Sequence, residues 1–184
     1  MYLGNDEIKR AISKKTIGIN PYNEDNVEPA SYDLTLASEF LKIDCRNYHQ
    51  GVWGSYINPS KPVEYYKANY GHEKFNGHVV IAPKEFVLAS TKECIELDTT
   101  IAGNVNGKST IGRTGLFVET AGFVDPGFKG ELTLELFNAS KHPMFIEEDT
   151  KICQIVFSYV SGCTKGYDGQ YLNQKGATGA KGVK

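Results

Sequence analysis

At 184 residues the chain is long enough for one domain with its own core, with room for at most a small appendage. Its 20 basic and 22 acidic residues give a formal net charge of −2, without the basic excess of a dedicated nucleic-acid binder; a small anionic ligand needs only a local cluster of donors. With 40 % hydrophobic and 23 % charged residues the composition is that of a soluble globular domain, which excludes disorder.

The first element is a helix. Asn5 supplies a cap, Ile8, Ala11 and Ile12 share one face, and Lys14–Lys15 suit its C-terminus. The period then changes from helix to strand. Polar and apolar residues alternate over Ser31–Leu36, Glu39–Ile43, His78–Ile81 and Glu85–Ser90. They do so again over Leu116–Thr120, Glu131–Phe137, Met144–Ile146 and Lys151–Val160. Short strands punctuated by Gly, Pro, Asn and Asp predict a mainly β fold, a sandwich, jelly roll or barrel. Residues 44–76 show no period. They hold Tyr48, Tyr56, Tyr65, Tyr66, Tyr70 and Trp53, and read as an irregular excursion covering a sheet edge or a neighbouring subunit. Residues 175–184, with three glycines and three lysines, read as a flexible tail on a single domain spanning 1–184.

No apolar run reaches the roughly 18–20 residues of a membrane span. The start, MYLGNDEIKR, lacks the apolar stretch of a signal peptide, so a cytoplasmic location is expected. Cys45, Cys94, Cys153 and Cys163 form no Cys-x-x-Cys pair. They are expected to be reduced, mostly buried thiols, with neither zinc nor disulfides.

Three signals carry chemistry. Seven of the 19 glycines lie between 103 and 130, and within that stretch Gly107-Lys-Ser-Thr-Ile-Gly-Arg113 adds two cations and two hydroxyls. Backbone amides, hydroxyls and a guanidinium together suit phosphate oxygens. The run is one residue short of a Walker loop, and it reads equally as a polar turn between strands. The second signal is Glu131-Leu-Thr-Leu-Glu-Leu-Phe137, which puts Leu132, Leu134 and Leu136 on one strand face and Glu131, Thr133 and Glu135 on the other. Such a strand is half-buried with a solvated face, unless Glu135 lies in a cleft where desolvation raises its pKa and fits it for proton transfer. The third is Thr120-Ala-Gly-Phe-Val-Asp-Pro-Gly-Phe128, a strong turn whose aromatics serve a core or wall a base-sized pocket.

Taken together these motifs resemble a known family. Lys108-Ser-Thr-Ile-Gly-Arg-Thr-Gly-Leu116, Thr120 to Gly130 and Thr133-Leu-Glu-Leu-Phe-Asn138 look like the dCTP deaminase branch of the dUTPase superfamily. Glu28-Pro-Ala-Ser-Tyr-Asp-Leu-Thr-Leu36 resembles its first motif. Ile152-Cys-Gln-Ile-Val-Phe157 and Tyr167 to Gly176 resemble its closing segments. The resemblance spans nearly the whole chain except 44–76.

The resemblance implies a distorted β jelly roll with a short N-terminal helix, assembled as a homotrimer with active sites between subunits. It implies deamination of dCTP without zinc, and the chain lacks the His-x-Glu and Pro-Cys-x-x-Cys signature of zinc deaminases. Glu135 would be the general acid/base, Ser109 and Arg113 would hold the attacking water, and the carbonyl of Ala121 would orient it. Lys108, Ser109, Thr110, Ile111, Gly112 and Arg113 would meet the triphosphate or sugar. Asp125 would receive the 3′-hydroxyl, and Thr133, Leu134 and Glu135 would face the base. Gln154, Tyr167 and Gln174 would hold phosphates, with the tail folding over them. Gln170 stands where the family usually has lysine, which removes one charge contact, and Ala37 replaces a common glycine. Magnesium would ride on the triphosphate.

Gly122 sits at the position that divides the family. Members that release dUTP tend to have histidine there, and members that also cleave the triphosphate to dUMP tend to have glycine. The implied activity is therefore bifunctional, giving dUMP, ammonia and diphosphate for thymidylate synthesis. The alternatives are a deaminase that stops at dUTP, a pure dUTPase, and a non-catalytic nucleotide sensor on the same fold. Inhibition by dTTP is frequent in the family.

Overall fold

The structure is a computed structural model and describes residues 1–44, 71–119, 122–163 and 165–181. Helix α1 (Asn5–Ser13) buries Ile8 and Ala11, as their spacing predicts. Gly4, not Asn5, occupies the cap position: its carbonyl already accepts the Ile8 N–H at 2.9 Å. Asn5 lies inside the helix and takes the Asp6 N–H at 2.8 Å. Lys15, at φ 61°, ends the helical path and sends the chain into β1 (Ile17–Asn20).

Two sheets follow. The larger runs β5 (Gly71–Asn76), β4 (Glu39–Asp44), β7 (Phe86–Leu97), β11 (Lys129–Asn138), β9 (Leu116–Glu119), with β1 also pairing β7. The second runs β10 (Phe123–Val124), β8 (Ile101–Gly107), β13 (Lys151–Tyr159), β3 (Ser31–Thr35), β2 (Val27–Glu28). A two-stranded pair, β6 (His78–Ile81) and β12 (Met144–Glu147), completes the described architecture. Both sheets feed one core, to which β3 gives Tyr32 and Leu34, β7 gives Val87 and Ile95, β11 gives Leu134 and Leu136, and β13 gives Ile155 and Phe157. Each such side chain contributes roughly 1.5–3 kcal/mol by leaving water. No helix among the described residues is long and apolar enough to cross a membrane.

All eight strands expected from alternation are present. β7 also runs on past Ser90 to Leu97, paired with β1 and β11; Thr91 and Glu93 are polar yet buried, which hides the alternation there. Thr91 accepts the Leu132 N–H at 2.9 Å and donates to the Glu93 carbonyl at 2.8 Å. The Glu93 carboxylate accepts from the Thr35 N–H at 3.0 Å and the Thr35 hydroxyl at 2.8 Å. Burial nonetheless pushes the Glu93 carboxyl above its ordinary pKa. The register of β11 on β7 shifts between Glu131, opposite Cys94, and Thr133, opposite Ser90.

Two expectations need correction. Gly71–Asn76, read as part of the irregular excursion, is a strand paired with Glu39–Asp44; backbone pairing, not an apolar stripe, holds it. Residues 45–70 lie outside the described residues. Residues 176–181 of the tail make the contacts described below, and residues 182–184 lie outside the described residues. Of the described cysteines, all free, only Cys153 is buried, while Cys94 and Cys163 are half-buried. Cys45 lies outside the described residues.

Candidate active site

The run after β8 leaves the sheet at Gly107, where a Cβ would rest 3.5 Å from Val118 on β9. It then closes one short helical turn, α2 (Ser109–Gly112). The Gly112 N–H donates to the Lys108 carbonyl at 2.9 Å, and the Arg113 N–H donates to Ser109 at 3.0 Å. The run is thus a polar turn between β8 and β9. Gly107, Lys108, Ser109 and Gly112 line a cleft of about 210 Å³, and Leu116–Glu119 of β9 form its other wall.

β9 carries that wall to β11. Glu119 stands directly opposite Glu135, with Leu88 opposite Glu135 on the far side. Alternation puts Glu131, Thr133 and Glu135 on the outer face of β11, while Leu132, Leu134 and Leu136 are buried. Leu134 is therefore a core residue, and only its backbone can meet a ligand. Glu135 Oε2 is buried without a hydrogen-bond partner. Burial pushes the Glu135 carboxyl above its ordinary pKa; its own backbone N–H opposes the rise and the Glu119 charge adds to it.

The closing segment returns to this face. The Tyr167 N–H donates to the Pro126 carbonyl at 2.8 Å, and its ring tilts onto Phe128 at 5.7 Å. This approach requires Gly127, at φ 81°, since a Cβ there would sit 2.6 Å from the Gly166 Cα. Asp125 opens that turn, and its carbonyl accepts the Phe128 N–H at 3.1 Å. Gln174 pairs with Gly130, and its amide donates to the Glu131 carbonyl at 2.6 Å. The Gly176 N–H donates to Glu131 Oε2 at 2.6 Å, and the Thr178 N–H donates to the Thr133 hydroxyl at 3.3 Å. Lys181 closes the path by donating to the Gln170 carbonyl at 2.7 Å, its ammonium 5.0 Å from the Tyr171 ring.

The structure therefore brings Gln174, Gly176 and Thr178 onto β11 beside Glu131 and Thr133, and Tyr167 onto the Asp125 turn just before it; Glu135 lies farther along the same face of β11, and Gln170 meets Lys181. It places Ser109, Thr110, Ile111, Gly112 and Arg113 across β9 from β11. Among the described residues no hydrogen bond joins Ser109 or Arg113 to Glu135. Gln154 stands apart, on the other sheet, where it accepts from Ser31 at 3.0 Å and faces Asp33 and Asn106. The Lys108 ammonium is paired with Asp33, and Lys151 attends the same carboxylate at 3.7 Å. The Gly122 carbonyl accepts the Val105 N–H at 2.7 Å. Ala121 lies outside the described residues.

Residues 2–160 match the family model described as dCTP deaminase-like. The chain belongs to that family. Among its curated relatives, a dUMP-forming dCTP deaminase of Sulfurihydrogenibium sp. is 36 % identical over 186 residues, covering 98 % of this chain and 97 % of that one. One of the same name from Aquifex aeolicus is 36 % identical over 177 residues, covering 96 % and 92 %. In fold, the dCTP deaminase-like chain resembles the crystal structure of a 2′-deoxycytidine 5′-triphosphate deaminase from Agrobacterium tumefaciens, with a TM-score of 0.63 and 20 % identity. That likeness covers 86 % of this chain and 48 % of the solved one, so the chain spans about half its length.

Sequence reasoning missed Glu119, the pairing of Asp33, and the partners that Gly176 and Thr178 find on β11. Glu119 and Glu135 become neighbours only through the β9–β11 register, which no local motif encodes. Asp33 reads as one polar position in an alternating strand, and its burial is explained by Lys108, 75 positions away, with Lys151 nearby.

Proposed function

We propose that this dCTP deaminase-like chain deaminates dCTP and also hydrolyses the triphosphate, releasing dUMP, ammonia and diphosphate. The observation that carries the reading is Glu135: a half-buried carboxyl with one buried, unpartnered oxygen, one strand away from a cleft lined by Lys108 and Ser109; burial raises its pKa. A base of raised pKa holds a transferred proton well and can return it. Glu135 would take a proton from the water attacking C4 of cytosine, deliver it to the ring, and let ammonia leave. That step consumes one water and gives dUTP; a second water cleaves between the α- and β-phosphates.

The remaining assignments belong to the same reading. Ser109 and Arg113 would hold the first water together with the Ala121 carbonyl. Thr110, Ile111 and Gly112 would offer backbone to the nucleotide, and Asp125 would take the 3′-hydroxyl. Tyr167, Gln170, Gln174 and Gln154 would serve the phosphates, and Gly122 would leave room for the second water. Magnesium enters as part of the substrate, bound to the triphosphate. A homotrimer with sites between subunits would bring the Ser109–Arg113 turn of one copy to Glu135 of another, which accounts for their separation within one chain. The enzyme would work in the cytoplasm.

The test is product analysis after incubation of the protein with dCTP and magnesium. Formation of dUMP and diphosphate is expected. Accumulation of dUTP would overturn the use of Gly122, and bound dCTP without turnover would favour a sensor.

A further inference from the structure

The Glu119–Glu135 pair is costly as a structural element. Opposed residues on antiparallel strands hold their Cβ atoms about 5 Å apart, and like charges there destabilise the pairing. A strand chosen only for stability would put threonine or lysine at 119. Glu119 also lines the cleft shared with Lys108 and Ser109, and it is the cleft residue in register with Glu135, whose Oε2 is buried without a partner.

We propose that Glu119 is a positioning residue for Glu135: its carboxylate, fixed opposite by the β9–β11 register, sets the pH at which Glu135 is free to take the proton of the attacking water. The proposal rests on the assignment of Glu135 as acid/base. Among the described residues of one chain, the other titratable groups near Glu135 are these. β7 presents apolar Leu88 opposite it and Cys94 farther along, opposite Glu131. On β11 itself Glu131 is tied to the Gly176 N–H. From the tail, Lys181 is tied to the Gln170 carbonyl, while Lys175 is exposed. On β4 Glu39 is paired with Lys74. Across the cleft Lys108 is paired with Asp33 and Arg113 is exposed; the Arg113 that a second copy would bring to Glu135 is the same in wild type and both variants tested below, so it does not order them by charge. Glu119 is the carboxylate held in direct register with Glu135.

A negative neighbour keeps the Glu135 proton on, so removing its charge lets Glu135 ionise at lower pH. The test is the pH profile of kcat for deamination in wild type, Glu119→Gln and Glu119→Lys. The acid limb is expected to move to lower pH by about half a unit in Glu119→Gln at low salt and by about twice that in Glu119→Lys. Because Glu119 is exposed, both shifts are expected to shrink in 1 M salt. A limb that stays in place in both variants, even with a lowered kcat, overturns the proposal, since a purely structural role would not order the limbs by charge. Glu135→Gln is run alongside. If it still deaminates, the assignment of Glu135 itself falls; if it is inactive and the limbs do not move, only the role of Glu119 falls.

Discussion

Lys108, at the entry to α2, holds the carboxylate of Asp33 on β3, whose side chain is 2 % exposed. The pair ties the turn that would meet the nucleotide back across β13 to β3, within the sheet that β8 leaves. Removing one partner leaves the other charge buried, which costs about 3 kcal/mol for a pair of this kind. Lys108→Met is therefore expected to lose about that much in urea unfolding at pH 7, softened by Lys151 at 3.7 Å. Combining it with Asp33→Leu is expected to recover most of the loss. An additive double variant would show that the two do not interact.

Gly127 is expected to be intolerant of any side chain. Gly127→Ala puts a methyl 2.6 Å from backbone at a φ that alanine rarely adopts. The expected result is about 1–3 kcal/mol of lost stability and faster hydrogen exchange at the Tyr167 N–H, which donates to Pro126. Unchanged exchange would show that the segment docks without this approach.

Glu135→Gln is expected to lose deamination by 10²–10⁴-fold or more, as is typical for loss of a general acid/base, while keeping dCTP affinity. It also has a stability signature. The folded carboxyl has a pKa above its ordinary value near 4.5, so the stability it contributes is fully present below that value. That contribution is lost as pH rises through the folded pKa. Wild type is thus expected to lose melting temperature across that window relative to Glu135→Gln. Parallel melting curves from acid to neutral pH would contradict the burial of an unpartnered carboxylate.

Gly122→His is expected to leave deamination in place and suppress dUMP formation by filling the space of the second water. Chromatography should then show dUTP accumulating. An unchanged rate of dUMP release would remove this position from the account of bifunctionality.

Much of the fold was legible because alternation is local. Leu132, Leu134 and Leu136 announce their strand and its buried face without help. The second half of β7 was not, because Thr91 and Glu93 are polar residues buried by partners on distant strands, Leu132 and Thr35. β8 was hidden by its Gly and Asn residues, which read as loop until β13 pairs with every position from Ile101 to Gly107. In the site, Glu135 and the 108–113 run were legible as residue types in a pattern. The docked tail was not, because glycine- and lysine-rich sequence carries no period; Gly176 and Thr178 are held by single hydrogen bonds to Glu131 and Thr133.

The register shift in β7 constrains how this protein can change length. Between the Glu131–Cys94 and Thr133–Ser90 pairings β11 advances by two residues and β7 by four, an excess of two. Because side chains alternate, an even excess keeps Glu131, Thr133 and Glu135 facing the same way against their partners. Losing one residue among Thr91–Glu93 would turn half of β7 inside out, sending Ile95 and Leu97 toward water. Insertions and deletions at this point are therefore expected to survive in related chains only in pairs.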